Sequence, residues 1–198
     1  MKKIILSLVM VFAMASLVVG ATRAYFSDTE TSTGNTFAAG TLDLNVDGGN
    51  TNVVKFTVTD MKPGDTQTGT WTLRNAGSIA GYLDLHSIAQ VHGAGTTTEP
   101  ELAEENPDVG TLGSLLTANL FVDTNGNGVQ DGVEPTIYSG SLGGMASEYP
   151  DLDLSLAAGA TNYVTLVLNW TPSANDNKGQ GDTVNLGMTF ELGQTLAQ

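Results

Sequence analysis

The chain has 198 residues, no cysteine, and 21 acidic against 7 basic residues, for a formal charge of −14 at pH 7. The lack of cysteine excludes a disulfide scaffold and a thiol nucleophile. The acidic excess argues against a grip on nucleic acid or an anionic membrane surface and favours attraction of cations.

Residues 1–24 read as a signal peptide. Lys2 and Lys3 make a basic start, positions 4–19 are apolar apart from Ser7 and Ser16, and Thr22-Arg23-Ala24 offers small residues at a cleavage site. A bilayer span needs about 20 apolar residues, so this run is short for a retained anchor. Cleavage after Ala24 leaves 198 − 24 = 174 residues, enough for one domain with its own core. Lys2, Lys3 and Arg23 leave with it, so 7 − 3 = 4 basic residues face 21 acidic ones, a formal −17. Membrane contact is expected only through this segment before cleavage.

Beyond it, alternation of apolar and polar residues recurs, the mark of half-buried strands. In 41–46 the apolar set is Leu42, Leu44 and Val46, followed by a turn at Asp47-Gly48-Gly49-Asn50. Residues 52–60 place Val54, Phe56 and Val58 on one face. Pro63-Gly64 then suits a type II turn. Residues 70–75 turn Trp71 and Leu73 inward, and in 82–91 the shared face is expected to be Leu83, Leu85, Ala89 and Val91. Residues 92–113 break the pattern as an acidic insertion with two prolines, in which Thr98 and Glu101 have capping-box spacing and suggest a turn or two of helix. No motif in the insertion assigns it a function.

Strand character resumes at 116–122 and briefly at 136–138. A glycine-rich connection covers 139–151, and Leu152, Leu154 and Leu156 then alternate with Asp153 and Ser155. Val164, Leu166, Leu168 and Trp170 line the inner face of 161–170, a polar loop follows at 172–181, and 183–192 alternates throughout. Eight or nine strands with a turn between each pair predict an all-β chain, an antiparallel, jelly-roll-like β-sandwich carrying one acidic insertion.

Three segments together resemble the TasA/camelysin family of exported biofilm-matrix fibre proteins. They are AYFSDTETSTGNTFAAGTLDL after the signal peptide, Met61-Lys62-Pro63-Gly64-Asp65 leading to TWTLRNAGSIAGYLDL, and the final pair of strands around 163–170 and 184–192. The resemblance spans roughly the first 65 mature residues and the last 40, and leaves about 92–160 unmatched. It implies a jelly-roll subunit whose mature N-terminal strand inserts into an open groove of the next copy. Carried over, Tyr25, Phe26, Ser27, Asp28, Thr29, Glu30, Thr31, Ser32 and Thr33 form the donor segment, Gly34-Asn35 the hinge, and 36–198 the sandwich. The physics agrees: a sandwich lacking a strand exposes an apolar groove and unpaired backbone, which a terminal strand from another copy can fill. Such a contact is head-to-tail and extends into a filament. The expected partners are further copies of the chain and other matrix components, and the expected location is the extracellular matrix or cell surface. Against this stands the plain alternative that 25–33 folds back as an ordinary edge strand or is simply disordered.

One metal motif stands outside the resemblance. Asp123, Asn125, Asn127, Val129, Asp131 and Glu134 fall at positions 1, 3, 5, 7, 9 and 12 of a calcium loop, with Gly128 at the sharp turn. Five side chains and the Val129 carbonyl would then surround a structural calcium ion. Leu120-Phe121-Val122 before the loop and Pro135 after it are strand-like flanks, so the loop is expected to join two strands. The alternative is a glycine-asparagine hairpin with exposed acids.

Some members of the resembled family are described as metallopeptidases. The zinc signature of two histidines four apart around a glutamate is absent, and the only histidines, His86 and His92, are six apart. No Gly-x-Ser-x-Gly elbow is present either. A non-enzymatic filament subunit is therefore expected. The alternatives are a camelysin-like metallopeptidase and a calcium-dependent carbohydrate-binding jelly roll, whose platform would be Trp71, Trp170 and the tyrosines, although both tryptophans fall on inward phases of their strands.

Overall fold

A computed structural model describes residues 3–5, 9–10, 39–49 and 61–196. The chain divides into two compact units, Met1–Ala38 and Ala39–Gln198. Of the first, residues 3–5 and 9–10 are helical, and no described helix is long and apolar enough to cross a membrane. The expected donor segment 25–33, the hinge at 34–35 and the expected strand at 52–60 lie outside the described residues.

The second unit is an all-β sandwich of two antiparallel sheets. One has the strand order β1-β2-β7-β4-β5, with β1 Leu44–Val46, β2 Thr66–Asn75, β4 Leu116–Val122, β5 Thr136–Ser141 and β7 Thr161–Trp170. The other is β6-β3-β8, with β3 Gly81–Gly93, β6 Tyr149–Leu156 and β8 Thr183–Gly193. Two short helices follow: α1 Glu99–Glu104 lies within the expected insertion and α2 Leu112–Leu115 straddles its end.

The expected inward rows meet between the sheets. Trp71 and Leu73 from β2, Leu83 and Leu85 from β3, and Val164, Leu166, Leu168 and Trp170 from β7 are buried in one cluster. Trp71 packs against Phe190 of β8 with ring centroids 5.8 Å apart, and Tyr138 of β5 meets Tyr149 of β6 at 6.4 Å. These tilted aromatic pairs add specific packing to area burial. They also place β8 over the β2 side and β6 over β5. Both tryptophans are buried, at 6% and 3% exposure, so they form no sugar-binding platform.

Turn chemistry fixes the registers. Gly64 has φ +98° and Asp65 N–H donates to the Lys62 carbonyl at 3.0 Å, the expected type II geometry. Asp47 and Gly48 both take positive φ, and Val46 and Gly49 exchange backbone hydrogen bonds across a tight hairpin turn.

Two expectations are corrected. Along β3, Leu85 pairs with Phe190 but Ser87 with Thr189, leaving His86 as an extra residue in a bulge. A one-residue slip reverses the faces. Ile88 is therefore buried, while Ala89 and Val91, expected inside, are exposed. The glycine-rich connection ends earlier than expected, because β6 already begins at Tyr149.

Candidate functional site

The 123–134 segment joins β4 to β5, as its flanks predict, and it folds back over the outer face of the larger sheet. A Cβ on Gly126 would stand 3.1 Å from the Tyr163 ring of β7, and one on Gly128 would stand 3.5 Å from Thr68 of β2. Both glycines also have positive φ, which a side chain would strain.

Asp123 is fully buried beneath this loop and organises it. Its Oδ1 accepts the N–H groups of Gly126 (2.6 Å) and Asn127 (3.2 Å). Its Oδ2 accepts Gly128 N–H (2.8 Å) and the Thr165 hydroxyl (2.9 Å). Burial opposes its ionisation, but these four hydrogen bonds outweigh that and hold its pKa below the usual aspartate value.

The other expected ligands are drawn together in part. The side-chain amides of Asn125 and Asn127 both donate to Asp131 Oδ2, at 3.2 and 2.7 Å. Their oxygens accept backbone N–H groups of Asn127 and Val129. Glu134 Oε1 accepts the Thr124 N–H and hydroxyl, and Oε2 accepts Asp131 N–H. The Asp131 and Thr124 donors lower the Glu134 pKa. Val129, with an exposed hydrocarbon side chain, can serve an ion only through its backbone carbonyl. The loop residues are thus mutually hydrogen-bonded, and the tightest carboxylate group among the described residues lies elsewhere.

That group is Glu101, Asp108 and Asp182, each offering one ligand atom within 4.8 Å of the others. It joins three separate segments: α1, the turn after it, and the entry to β8. Glu101 is the third residue of α1, and its Oε2 accepts the N–H of Thr98 at 3.1 Å, as capping-box spacing predicts. Its Oε1 is buried with no hydrogen-bond partner. Asp182 Oδ2 accepts Leu112 N–H at 2.9 Å, while its Oδ1 is likewise buried and unpartnered. Asp108 is satisfied by the Thr97 hydroxyl (3.0 Å) and Gly110 N–H (3.2 Å). Burial is the main force raising the pKa of both Glu101 and Asp182, with the charge of Asp108 adding to it. The spacing of Thr98 and Glu101 was readable in the sequence as a cap. Asp182 lies 81 residues beyond Glu101, and only the fold brings them together.

The histidines stand apart from both sites. His86 Nδ1 lies 3.0 Å from Glu191 Oε2 at the surface bulge. The His92 ring packs against Gly113. Structural and catalytic zinc sites draw mainly on imidazole and thiolate. Among the described residues no acidic group converges with a histidine pair, and the carboxylate trio is an all-oxygen set that does not fit a catalytic zinc.

A family model described as camelysin metallo-endopeptidase matches residues 1–198, the whole chain. No curated protein matches the chain.

Proposed function

The chain belongs to the camelysin family, and we propose that within it this protein is an exported structural subunit that polymerises head to tail. Residues 25–33 of one copy would pair with the free edge of the next copy's sandwich, building filaments at the cell surface or in an extracellular matrix.

The observation that carries this reading is β8. It is an edge strand of 11 residues, with a hydrogen-bonded neighbour on one side only among the described residues. Natural edges are usually short or guarded by proline, lysine or a bulge. This one contains neither proline nor lysine, and its inward row of Val184, Leu186, Met188 and Phe190 is only half-buried. The row already packs on the core, and another apolar segment would cover the part it leaves exposed. An extended segment from a second copy would supply ladder hydrogen bonds and alternate side chains together. Tyr25 and Phe26 are the large apolar residues that the donor offers. Since donor and acceptor are different surfaces, the contact propagates and does not close on itself.

In the same reading the 123–134 loop takes a structural calcium ion through Asp123, Asn125, Asn127, Asp131 and Glu134 and the Val129 carbonyl. Extracellular calcium modules work at about 0.1–1 mM, which suits a site with three carboxylates. The Asn125 and Asn127 side chains would turn their oxygens inward on binding.

Electron microscopy of the chain processed at Ala24 should show fibres, and the chain lacking 25–33 should stay monomeric. Fibres formed equally well by the shortened chain would contradict the donor role. The family description supports a second reading, a metal-dependent peptidase. Casein cleavage that copurifies with the chain through several columns and stops with chelator would establish it.

A further inference from the structure

We propose that Glu101, Asp108 and Asp182 form a calcium site, separate from the 123–134 loop, that clamps the acidic insertion onto the entry to β8.

A gathering of acids alone would not suggest an ion, since exposed carboxylates often cluster. Here Glu101 is fully buried and its Oε1 meets no N–H or hydroxyl, so its side-chain hydrogen bond to Asp182 needs a proton held between two carboxyls. A buried ionised carboxylate without a partner is costly, and two of them side by side more so. Among the described residues no lysine or arginine forms an ion pair with the trio. A proton shared between Glu101 and Asp182 would neutralise one charge of three. A divalent cation would offset two and satisfy both orphaned oxygens at once.

Further oxygens are at hand in the same corner. The Thr98 hydroxyl belongs to the capping box of α1, and Glu105 Oε2 is buried without a hydrogen-bond partner, although Glu105 lies outside the tight trio. Calcium takes six to eight oxygens in a flexible arrangement, whereas magnesium demands near-octahedral order. Ligands drawn from three independent segments suit the more tolerant ion.

The backbone is built to bring those segments together. Gly95 and Gly181 lie back to back, both with positive φ, and a Cβ on Gly95 would strike the Gly181 carbonyl. A Cβ on Gly181 would strike the Thr96 carbonyl in return. Thr96 N–H donates to that Gly181 carbonyl at 3.1 Å. On the next residue, Asp182 is aimed at Glu101. Lower down, the Thr111 hydroxyl donates to the Lys178 carbonyl at 2.7 Å and closes the other side of the corner.

The test uses the processed chain with its calcium loop disabled by Asp131→Asn and Glu134→Gln, both at residues outside the core. After chelator treatment and dialysis, calcium chloride is titrated by calorimetry, and Tm is measured with and without about 1 mM calcium. The clamp predicts one bound calcium per chain and a Tm gain of about 3 °C or more. Adding Glu101→Gln and Asp182→Asn should weaken binding at least about tenfold and abolish the Tm gain. The calcium-free Tm of that variant should equal or exceed its parent's, because the repelling charges are gone. Should the double substitution fail to fold, Asp108→Asn alone tests the same ligand set and should weaken calcium binding. A loop-disabled chain that takes up no calcium and shows no Tm gain overturns the proposal. So does undiminished binding by the ligand variants. Fibre formation is scored separately, so failure of the clamp and failure of the filament reading are distinguishable.

Discussion

Asn75 shows how a single buried polar side chain holds two turns. At the end of β2, its Nδ2 donates to the carbonyls of Ile79 (2.8 Å) and Leu156 (3.1 Å), and its Oδ1 accepts Gly77 N–H (2.9 Å). Removing it would leave those groups without their partner, the Leu156 carbonyl in a buried site and the other two in part-buried ones. Asn75→Ala should cost roughly 2–3 kcal/mol, read from denaturant midpoints at unchanged m-value. Asp84 presents the opposite case. It is buried in β3 and accepts Asp153 N–H at 2.8 Å. Burial raises its pKa, the Asp153 N–H partly counters this, and the charges of Asp153, Glu191 and Asp151 push it further up. His86 Nδ1 meets Glu191 of this cluster at 3.0 Å. A folded-state pKa above the unfolded value means the favourable state is protonated. Stability from Asp84 is therefore full below about pH 4 and is lost as pH rises through its raised value. Asp84→Asn should raise Tm at pH 7, and the difference from the parent should vanish in melts near pH 4.

At the scale of elements, the strands were legible because alternation and turn residues agree. The 116–122 and 161–170 strands match β4 and β7 to the residue, and Pro63-Gly64 makes the turn its chemistry demands. The misplaced faces of Ala89 and Val91 trace to one extra residue, His86. A bulge leaves no mark in apolar alternation, since either phase of that stretch contains an apolar residue. The 123–134 loop was legible as a motif, but its docking on Tyr163 and Thr165 was not, because those contacts come from a strand some 40 residues later. The carboxylate trio was hidden for the same reason. Docking gives Asp123 a structural duty beyond any ion. Asp123→Ala should destabilise the calcium-free chain by about 3 kcal/mol, while Glu134→Gln leaves the calcium-free chain closer to the parent. Hydrogen exchange of the Gly126, Asn127 and Gly128 amides would read this directly: fast in the first variant, protected in the second. At the other corner, Gly181→Ala should lift the insertion off the sandwich. Limited proteolysis within 96–110 should then become markedly faster, with the sheet core unchanged in circular dichroism.

For the whole molecule, the sandwich is asymmetric. Its β6 side is closed by the Tyr138–Tyr149 pair and the buried Leu142 and Met145, while its β8 side ends in a half-buried row. A filament reading turns on what covers that row. With no native cysteine in the chain, a designed pair can report it without ambiguity. Asp28→Cys or Thr29→Cys, one for each face of the donor strand, combined in turn with Thr183→Cys, Asn185→Cys, Gly187→Cys or Thr189→Cys samples the registers along the outer positions of β8. A disulfide forms only when the two Cα atoms come within about 4.4–6.8 Å. Oxidised under assembly conditions, at least one pair should yield a reducible ladder of dimers, trimers and higher species on denaturing gels. Oxidation to closed monomers alone, or no disulfide at any register, would contradict strand donation from one copy to the next.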